Sequence, residues 1–177
     1  MTLEFRAATA ADVAAVRALV ETSYRGEASR AGWTTEADLL DGQRTDPVQL
    51  AELLAANGSE IVLAEHDQQL LACAHIARGE GDAWFGMFAV RPTLQRAGIG
   101  AALLAECERI ARQRWRCEAL RMRVIWTRTE LIDWYLRRGY AVTAETQPFP
   151  YGDARFGLPK RDDLYFITLA KSLLEPV

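Results

Sequence analysis

Residues 90–101 read Val-Arg-Pro-Thr-Leu-Gln-Arg-Ala-Gly-Ile-Gly-Ala, and this stretch decides the fold. It follows an apolar run at 83–90 that is typical of a strand, and it leads into residues 98–114, whose apolar positions recur at helical spacing. A helix N-terminus leaves backbone N–H groups unpaired and carries partial positive charge, and glycines let the backbone approach an anion closely. The stretch therefore predicts a loop that suits a phosphate or pyrophosphate.

This loop matches neither of two common nucleotide-binding motifs. Leu103 stands where the dinucleotide fingerprint needs its third glycine, and no Gly-Lys-Ser/Thr follows to form a Walker loop. A Gly-x-Gly before a helix also occurs in tight turns that bind nothing. The loop alone leaves that alternative open.

The elements around the loop follow from periodicity and capping residues. Before it we predict a strand at 3–7, a helix opened by Thr9 and Asp12, a helical piece with Leu39 and Leu40, a helix starting at Asp46-Pro47, and strands at 60–66 and 69–78. After it we predict a strand at 118–126, a helix at 128–138 with Thr127 and Glu130 as a capping box and Gly139 as its stop, and strands starting at Tyr140 and Leu164.

This order predicts one domain over residues 1–177 with an α/β (α+β) fold. Consecutive strands favour antiparallel hairpins, whereas the strand-helix-strand unit at 83–126 favours a parallel crossover. We expect a mixed, mostly antiparallel central sheet of about six to seven strands with helices on both faces.

Two segments resemble the GNAT N-acetyltransferase superfamily. Val90, Pro92, Gln95, Gly98 and Gly100 form the pattern Val-x-Pro-x-x-Gln-x-x-Gly-x-Gly, which resembles the acetyl-CoA loop of that family. Residues 135–140, Tyr-Leu-Arg-Arg-Gly-Tyr, are similar to its Tyr-x-x-x-Gly-aromatic segment. The predicted order of elements also fits from residue 3 to residue 170.

The resemblance implies an acetyl-CoA-dependent N-acetyltransferase that acts on a small-molecule or peptide amine, with acetyl-CoA as cosubstrate and no metal. The pyrophosphate of CoA would bind the loop amides, and the pantetheine arm would pair with the strand before the loop. The implied cofactor-binding residues are Phe88, Ala89, Val90, Gln95, Arg96, Ala97, Gly98, Ile99, Gly100 and Ala101.

The same resemblance implies that Tyr135 protonates the leaving thiolate. A phenol with a pKa of about 10 can donate a proton to a thiolate whose pKa is near 8–9, and a strand N–H can stabilise the oxyanion formed when an amine attacks the thioester. From spacing alone, Tyr135 also fits a core aromatic residue beside Leu131 and Trp134. Arg128 replaces an Asn common in the family, so it would either meet a CoA phosphate or be exposed.

The group that takes the proton from the amine stays open among Glu27, Glu65, His75, Glu80 and a water relay. His75 also fits a core histidine, because it lies in a strand of alternating pattern.

The expected acceptor pocket includes Tyr24, Glu27 and Trp33, which follow the first helix, and Tyr151 in the segment 147–163. The prolines and aromatic residues of this segment indicate either a lid or pocket wall, or a rigid surface turn or dimer contact.

Charge is distributed unevenly along the chain, whose net charge is −3. Residues 91–138 hold eleven arginines, no lysine and five acidic residues, whereas residues 1–90 hold six basic and fourteen acidic residues. This predicts a basic cofactor side and an acidic acceptor pocket that prefers a cationic amine. The arginines are scattered rather than gathered in a stripe with stacking aromatics, which argues against a nucleic-acid partner.

Cysteine usage and hydropathy predict the compartment. Three cysteines without metal-type spacing favour reduced thiols in the cytoplasm, and no apolar run approaches the ~18 residues of a membrane span. A non-catalytic acyl-CoA-binding sensor or structural module of the same fold is the second functional hypothesis. A homodimer is common among proteins of this resemblance.

Overall fold

The computed structural model describes residues 2–174. Its helices are α1 (Val13–Tyr24), α2 (Pro47–Ala55), α3 (Ile99–Arg109) and α4 (Thr129–Leu136). Its strands are β1 (Glu4–Ala7), β2 (Leu40–Asp41), β3 (Ser59–His66), β4 (Gln69–Arg78), β5 (Asp82–Val90), β6 (Ala119–Ile125), β7 (Ala141–Pro148), β8 (Leu158–Pro159) and β9 (Tyr165–Ser172). A π-helical turn, Ile110–Arg114, continues α3.

A seven-stranded sheet in the order β1-β3-β4-β5-β6-β9-β7 forms the centre of the fold. The β5–β6 pair is parallel, and its neighbours pair antiparallel. The predicted mixed, mostly antiparallel sheet and the crossover through α3 are therefore confirmed.

Helices cover both faces of this sheet because its strands alternate apolar residues. Ile61 and Leu63 of β3 pack with Val16 and Val20 of α1. Val62, between them, points the other way and belongs to the cluster that contains α3 and α4 residues. Helices therefore pack on both faces of the sheet, as expected. The end of the sheet next to the loop stays open for a site.

Local capping explains several element boundaries. Asp46 Oδ1 accepts a hydrogen bond from the Gln49 amide at 2.8 Å, and Pro47 occupies the first helical position of α2. The Thr9 amide donates to Asp12 Oδ2 at 2.7 Å, which confirms the predicted start of the first helical segment. Gly139, with φ of +88°, follows the end of α4.

Two local predictions are wrong. The segment with Leu39 and Leu40 is not helical, because Leu40 and Asp41 pair as β2 with β8 of the distant segment 147–163. Thr127 does not cap α4: the Arg128 amide donates to Ile125 O at 3.0 Å, and this turn makes Arg128 the N-cap instead. Among residues 2–174, no helix is long and apolar enough to span a membrane.

Candidate active site

Strands β5 and β6 separate at the end of the sheet where the loop begins. Their parallel pairing ends at Phe85 opposite Met122, while β6 stays paired with β9 as far as Ile125. Met87 has a φ of +47°, and the β4–β5 register shifts beside it, so β5 carries a bulge there. The bulge re-aims the last residues of β5, and a gap opens between the two strands.

The backbone of β5 beyond the bulge faces this gap at every second residue. The Arg91 amide donates to Leu71 O of β4 at 2.9 Å, so strand alternation turns the backbone groups of Ala89 toward β4 and those of Phe88 and Val90 toward the gap. Tyr24 Oη donates to Phe88 O at 2.8 Å, and Ser23 Oγ donates to Val90 O at 3.1 Å. The amides of Phe88 and Val90 therefore also face the gap, whereas the amide and carbonyl of Ala89 face β4.

The loop presents the N-terminus of α3 to the same gap. Gly98 has a φ of +82°, a conformation that favours glycine, and it caps the helix that begins at Ile99. The Ala102 amide makes the first helical bond, to Gly98 O at 3.0 Å. The preceding amides, including those of Gly100 and Ala101, therefore have no intrahelical acceptor and are available to an anion.

Gly100 allows α3 to approach β5 closely. A Cβ atom at this position would lie 3.0 Å from Phe88 Cζ and 3.3 Å from Val90 Cγ2. The second glycine of the motif therefore holds the helix N-terminus against the opened strand.

The side chain of Gln95 is engaged within the protein. Its Oε1 accepts from the Trp33 amide at 2.9 Å, and its Nε2 donates to Val90 O at 3.3 Å. Gln95 thus ties the Trp33 loop to the end of β5, a role that the motif alone did not indicate.

A cavity of about 400 Å³, the loop-side cavity, lies along the loop. It is lined by Tyr24, Trp33, Thr34, Phe88, Val90, Gln95, Arg96, Gly98, Gly100, Ala101, Arg128, Leu131, Trp134, Tyr135, Arg137 and Arg138. Ala89, Ala97 and Ile99 are not part of this lining. Four of its residues are arginines, and no carboxylate among residues 2–174 lines it, so the surface suits an anion.

A second cavity of about 410 Å³, the far-side cavity, lies on the other side of the strand gap. Strands β5 and β6, residues 147–150 and Phe156 contribute to its walls. The two cavities share the lining residues Tyr24, Phe88, Arg128, Leu131 and Tyr135. A molecule in one cavity could therefore meet a molecule in the other beside these five side chains.

Tyr135 lies at this junction, on the buried face of α4. Its side chain is only 3% exposed and packs against the rings of Phe88, Trp134 and Tyr140. The hydroxyls of Tyr24 and Tyr140 donate to protein acceptors, whereas that of Tyr135 has no hydrogen-bond partner among residues 2–174. Burial raises the pKa of Tyr135, so its hydroxyl keeps its proton at neutral pH.

Comparison with known proteins identifies the family of this chain. The family model of the Acetyltransferase (GNAT) family matches residues 16–140. The chain belongs to the GNAT acetyltransferase family. Acyl transfer is the general reaction of this family. No curated protein matches this GNAT chain significantly.

Solved structures show the same fold at low sequence identity. The ribosomal-protein-S18-alanine N-acetyltransferase of Escherichia coli has a TM-score of 0.72 and 15% identity, over 99% of this chain and 97% of that chain. An N-acetyltransferase of Staphylococcus aureus Mu50 has a TM-score of 0.73 and 14% identity, over 98% and 99%. A ribosomal-protein-alanine N-acetyltransferase of Brucella melitensis has a TM-score of 0.69 and 19% identity, over 96% and 99%.

In this GNAT chain, Arg128 belongs to a buried ion cluster. Its Nη1 lies 2.9 Å from Glu36 Oε1, its Nη2 donates to Thr34 Oγ1 at 2.9 Å, and Arg25 Nη1 lies 2.6 Å from Glu36 Oε2. Burial favours a higher pKa for Glu36, but the charges of Arg128 and Arg25 outweigh it and lower that pKa. Sequence reasoning missed Glu36, and it left Arg128 either exposed or on a phosphate.

The candidate proton acceptors are widely separated in the GNAT fold. Glu27 is 90% exposed beside Arg30, Glu65 pairs with Arg6 at 2.7 Å, and Glu80 is exposed after β4. Only His75 lines the far-side cavity, where Ser59 Oγ lies 2.8 Å from its Nε2. Burial, with help from Arg44, lowers the pKa of His75 to about 4, which makes it a weak base.

Of the four residues expected at the acceptor pocket, two line a cavity and two do not. Tyr24 lines both cavities and Trp33 lines the loop-side cavity, whereas Glu27 and Tyr151 line neither. Tyr151 Oη instead donates to Arg161 O at 2.9 Å and accepts from the Leu164 amide at 2.8 Å.

The segment 147–163 forms a wall of the far-side cavity. Phe149 and Phe156 line the cavity, and β8 pairs with β2. Lys160 Nζ reinforces this connection by donating to Ala37 O at 2.7 Å. Of the two interpretations of this segment, the structure favours the pocket wall.

The far-side cavity is basic, so the expectation of an acidic pocket is wrong for it. Its lining contains four arginines and a single carboxylate among residues 2–174, Glu36. The other thirteen acidic residues of 1–90 do not line this cavity. Among residues 2–174, no His, Cys, Asp and Glu side chains are grouped in threes to hold a metal ion.

Proposed function

We propose that this GNAT chain transfers the acetyl group of acetyl-CoA to a primary amine, which attacks the thioester directly. The observation that carries the proposal is the position of Tyr135, which lines both the loop-side and the far-side cavity and whose hydroxyl has no hydrogen-bond partner among residues 2–174. One cavity then serves the cosubstrate and the other serves the amine.

The loop-side cavity fits a CoA-type ligand. The free amides at the start of α3 and the nearby Arg96 and Arg137 provide donors and positive charge for a pyrophosphate. The close approach at Gly100 leaves the helix N-terminus directly beside the opened strand. Acetyl-CoA supplies an activated acyl group as a thioester.

The chain's own groups provide the remaining chemistry. The Phe88 amide, turned toward the strand gap, is placed to stabilise negative charge on an acyl oxygen. The Tyr135 hydroxyl, kept protonated by burial, is placed to donate its proton to the leaving sulfur. Phe88 and Tyr135 line both cavities, so both groups lie where the two reactants would meet.

A specific observation favours the second hypothesis, a non-catalytic acyl-CoA-binding module. The far-side cavity has no strong proton acceptor among residues 2–174, since Glu36 is held by two arginines and the pKa of His75 is lowered to about 4. An enzyme would then rely on water to remove the proton from the attacking ammonium.

Release of free CoA thiol from acetyl-CoA, measured with a panel of primary amines, separates the two hypotheses. We expect amine-dependent thiol release together with the N-acetylated amine as product. Tight CoA binding without turnover for any amine, unchanged in Tyr135→Phe, would support the non-catalytic module.

We also propose a reducing compartment such as the cytoplasm for this protein. Cys73, Cys107 and Cys117 are all buried free thiols, which supports this assignment.

A further inference from the structure

The far-side cavity holds more positive charge than its single carboxylate neutralises. The arginines of its lining are Arg25, Arg44, Arg123 and Arg128, and the carboxylate is Glu36. His75, whose pKa is lowered to about 4, adds no charge at neutral pH. A cationic acceptor would face net repulsion in such a cavity.

Glu36 is fully occupied by two of these arginines. Its oxygens bind Arg25 at 2.6 Å and Arg128 at 2.9 Å. The side chains of Arg44 and Arg123 make no hydrogen bond or ion pair within the described part of the chain. They rest instead on aromatic rings, Arg44 at 5.0 Å from the ring centre of Tyr24 and Arg123 at 4.3 Å from that of Trp84. Both guanidinium groups are therefore available to a ligand.

Arg25 is a further sign of incompletely compensated positive charge in the far-side cavity. Its side chain is only 6% exposed, yet its Nε and Nη2 atoms have no hydrogen-bond partner within residues 2–174. Buried donors of this kind are normally paired, because leaving them unpaired costs stability. Glu36 therefore compensates the charge of Arg25 only in part, and Arg25 adds to the positive potential of the far-side cavity.

We propose that the acceptor is an amine that also carries an acidic group, a carboxylate or similar small oxyanion as in an amino acid, and that Arg44 and Arg123 bind this group. The inference rests on the proposed function, which places the amine at the junction beside Tyr135. Arg44 stacks on Tyr24, a residue of that junction, and lines only the far-side cavity, so the acidic group would lie on the far side of the junction and close to the amine, as the two groups do in an amino acid. Planar guanidinium groups match the two oxygens of a carboxylate.

The decisive comparison is between free amino acids and their carboxamides, each pair with the same side chain, as acceptors for acetyl-CoA. The carboxamide has the more acidic ammonium group, so more of its amine is neutral at pH 8, and amine basicity alone would favour it. We expect kcat/KM to be about 10- to 100-fold higher for the free acids, because only they form charge-assisted bonds to arginine. Equal rates, or faster turnover of the carboxamides, would overturn the inference and point to a peptide amine instead.

Variants identify the arginines that carry the preference. Arg44→Gln and Arg123→Gln should each lower kcat/KM for the free acids by about tenfold and leave the carboxamides nearly unchanged. Arg121→Gln is the matched control, because Arg121 lies on the same strand as Arg123 but pairs with Asp82 and Glu145 and does not line the cavity. An acid-to-amide ratio that stays constant in both test variants would remove these residues from acceptor binding.

A binding measurement keeps this inference separate from the proposed function. Calorimetric titration of the CoA-saturated protein with N-acetyl amino acids and with their carboxamides requires no turnover. We expect tighter binding of the free acids, and weaker binding of them by Arg44→Gln. If the free acids bind more tightly but no amine is acetylated, the proposed acetyl transfer is rejected and the acidic-group inference stands. If amines are acetylated but the free acids bind no more tightly than the carboxamides, the inference is rejected and the proposed function stands.

Discussion

Glu36 Oε1 lies 2.9 Å from Arg128 Nη1, although 92 residues separate the two in sequence. The pair connects the loop before β2 to the start of α4, the helix that carries Tyr135. Both side chains are about nine-tenths buried, so each charge depends on the other for compensation. The ion pair therefore holds together two walls of the site.

Glu36→Gln should destabilise the protein strongly. The substitution leaves the buried guanidinium groups of Arg25 and Arg128 without a countercharge, and we expect a loss of about 3 kcal/mol in the free energy of unfolding. Urea denaturation at pH 7.5 measures it. Glu27→Gln, at an exposed carboxylate, is the control and should leave stability almost unchanged. A Glu36→Gln protein as stable as the control would show that the cluster contributes nothing.

Gly98→Glu should abolish binding of CoA. The new side chain would place bulk and negative charge at the N-terminus of α3, where the free amides attract an anion. Gly152→Glu is a matched control, because Gly152 has a φ of +84° against +82° for Gly98, neither would find a neighbour within 4 Å of an added Cβ, and Gly152 lines neither cavity.

Fluorescence or calorimetric titration with CoA distinguishes these two glycine variants. Both variants place a glutamate in a left-handed backbone conformation, so the strain is the same in both. Any difference in CoA affinity therefore comes from the position of Gly98 at the proposed CoA site. Equal CoA affinity in Gly98→Glu, Gly152→Glu and the unmodified protein would refute the assignment of the loop.

His75 should make stability depend on pH below neutrality. Its folded-state pKa is lowered to about 4, whereas an unfolded histidine has a pKa of about 6.5. Between these values the unfolded chain binds a proton that the folded chain does not. The contribution of His75 to the free energy of unfolding therefore decreases progressively as the pH drops from 6.5 to 4. The pKa difference corresponds to about 3 kcal/mol.

Urea denaturation between pH 4 and pH 7.5 tests this effect by comparison with His75→Gln. The variant should lose less stability on acidification than the unmodified protein, and carboxylates that titrate in the same range cancel in the comparison. His66→Gln, at the histidine that ends β3, is the control. Parallel pH profiles for all three proteins would contradict the burial of a neutral His75.

The sequence predicted what depends on neighbouring residues. Asp46-Pro47 and the pair Thr9 and Asp12 form caps within a few residues, and the glycines of the loop start α3 where expected. Periodicity also placed the long strands and the parallel crossover, because burial on two faces imposes a regular apolar pattern.

Long-range contacts account for what the sequence did not predict. The partner of Arg128 is Glu36, and β2 exists only because the distant β8 pairs with it. Segment charge was misleading for a related reason. A count of fourteen acidic residues in 1–90 does not say which of them line the site, and of these only Glu36 lines the loop-side or the far-side cavity. The gap beside Met87 depends on a positive φ at a non-glycine residue, which no local pattern signals.

The rate of CoA thiol release by Tyr135→Phe, compared with its CoA affinity, tests the central claim most directly. Removal of the hydroxyl should lower kcat by about 10²- to 10⁴-fold, while the ring keeps its packing and the affinity for CoA stays unchanged. Tyr140→Phe, which removes a buried hydroxyl outside both cavities, should keep its turnover. Full turnover in Tyr135→Phe would contradict the account and remove this tyrosine from the reaction.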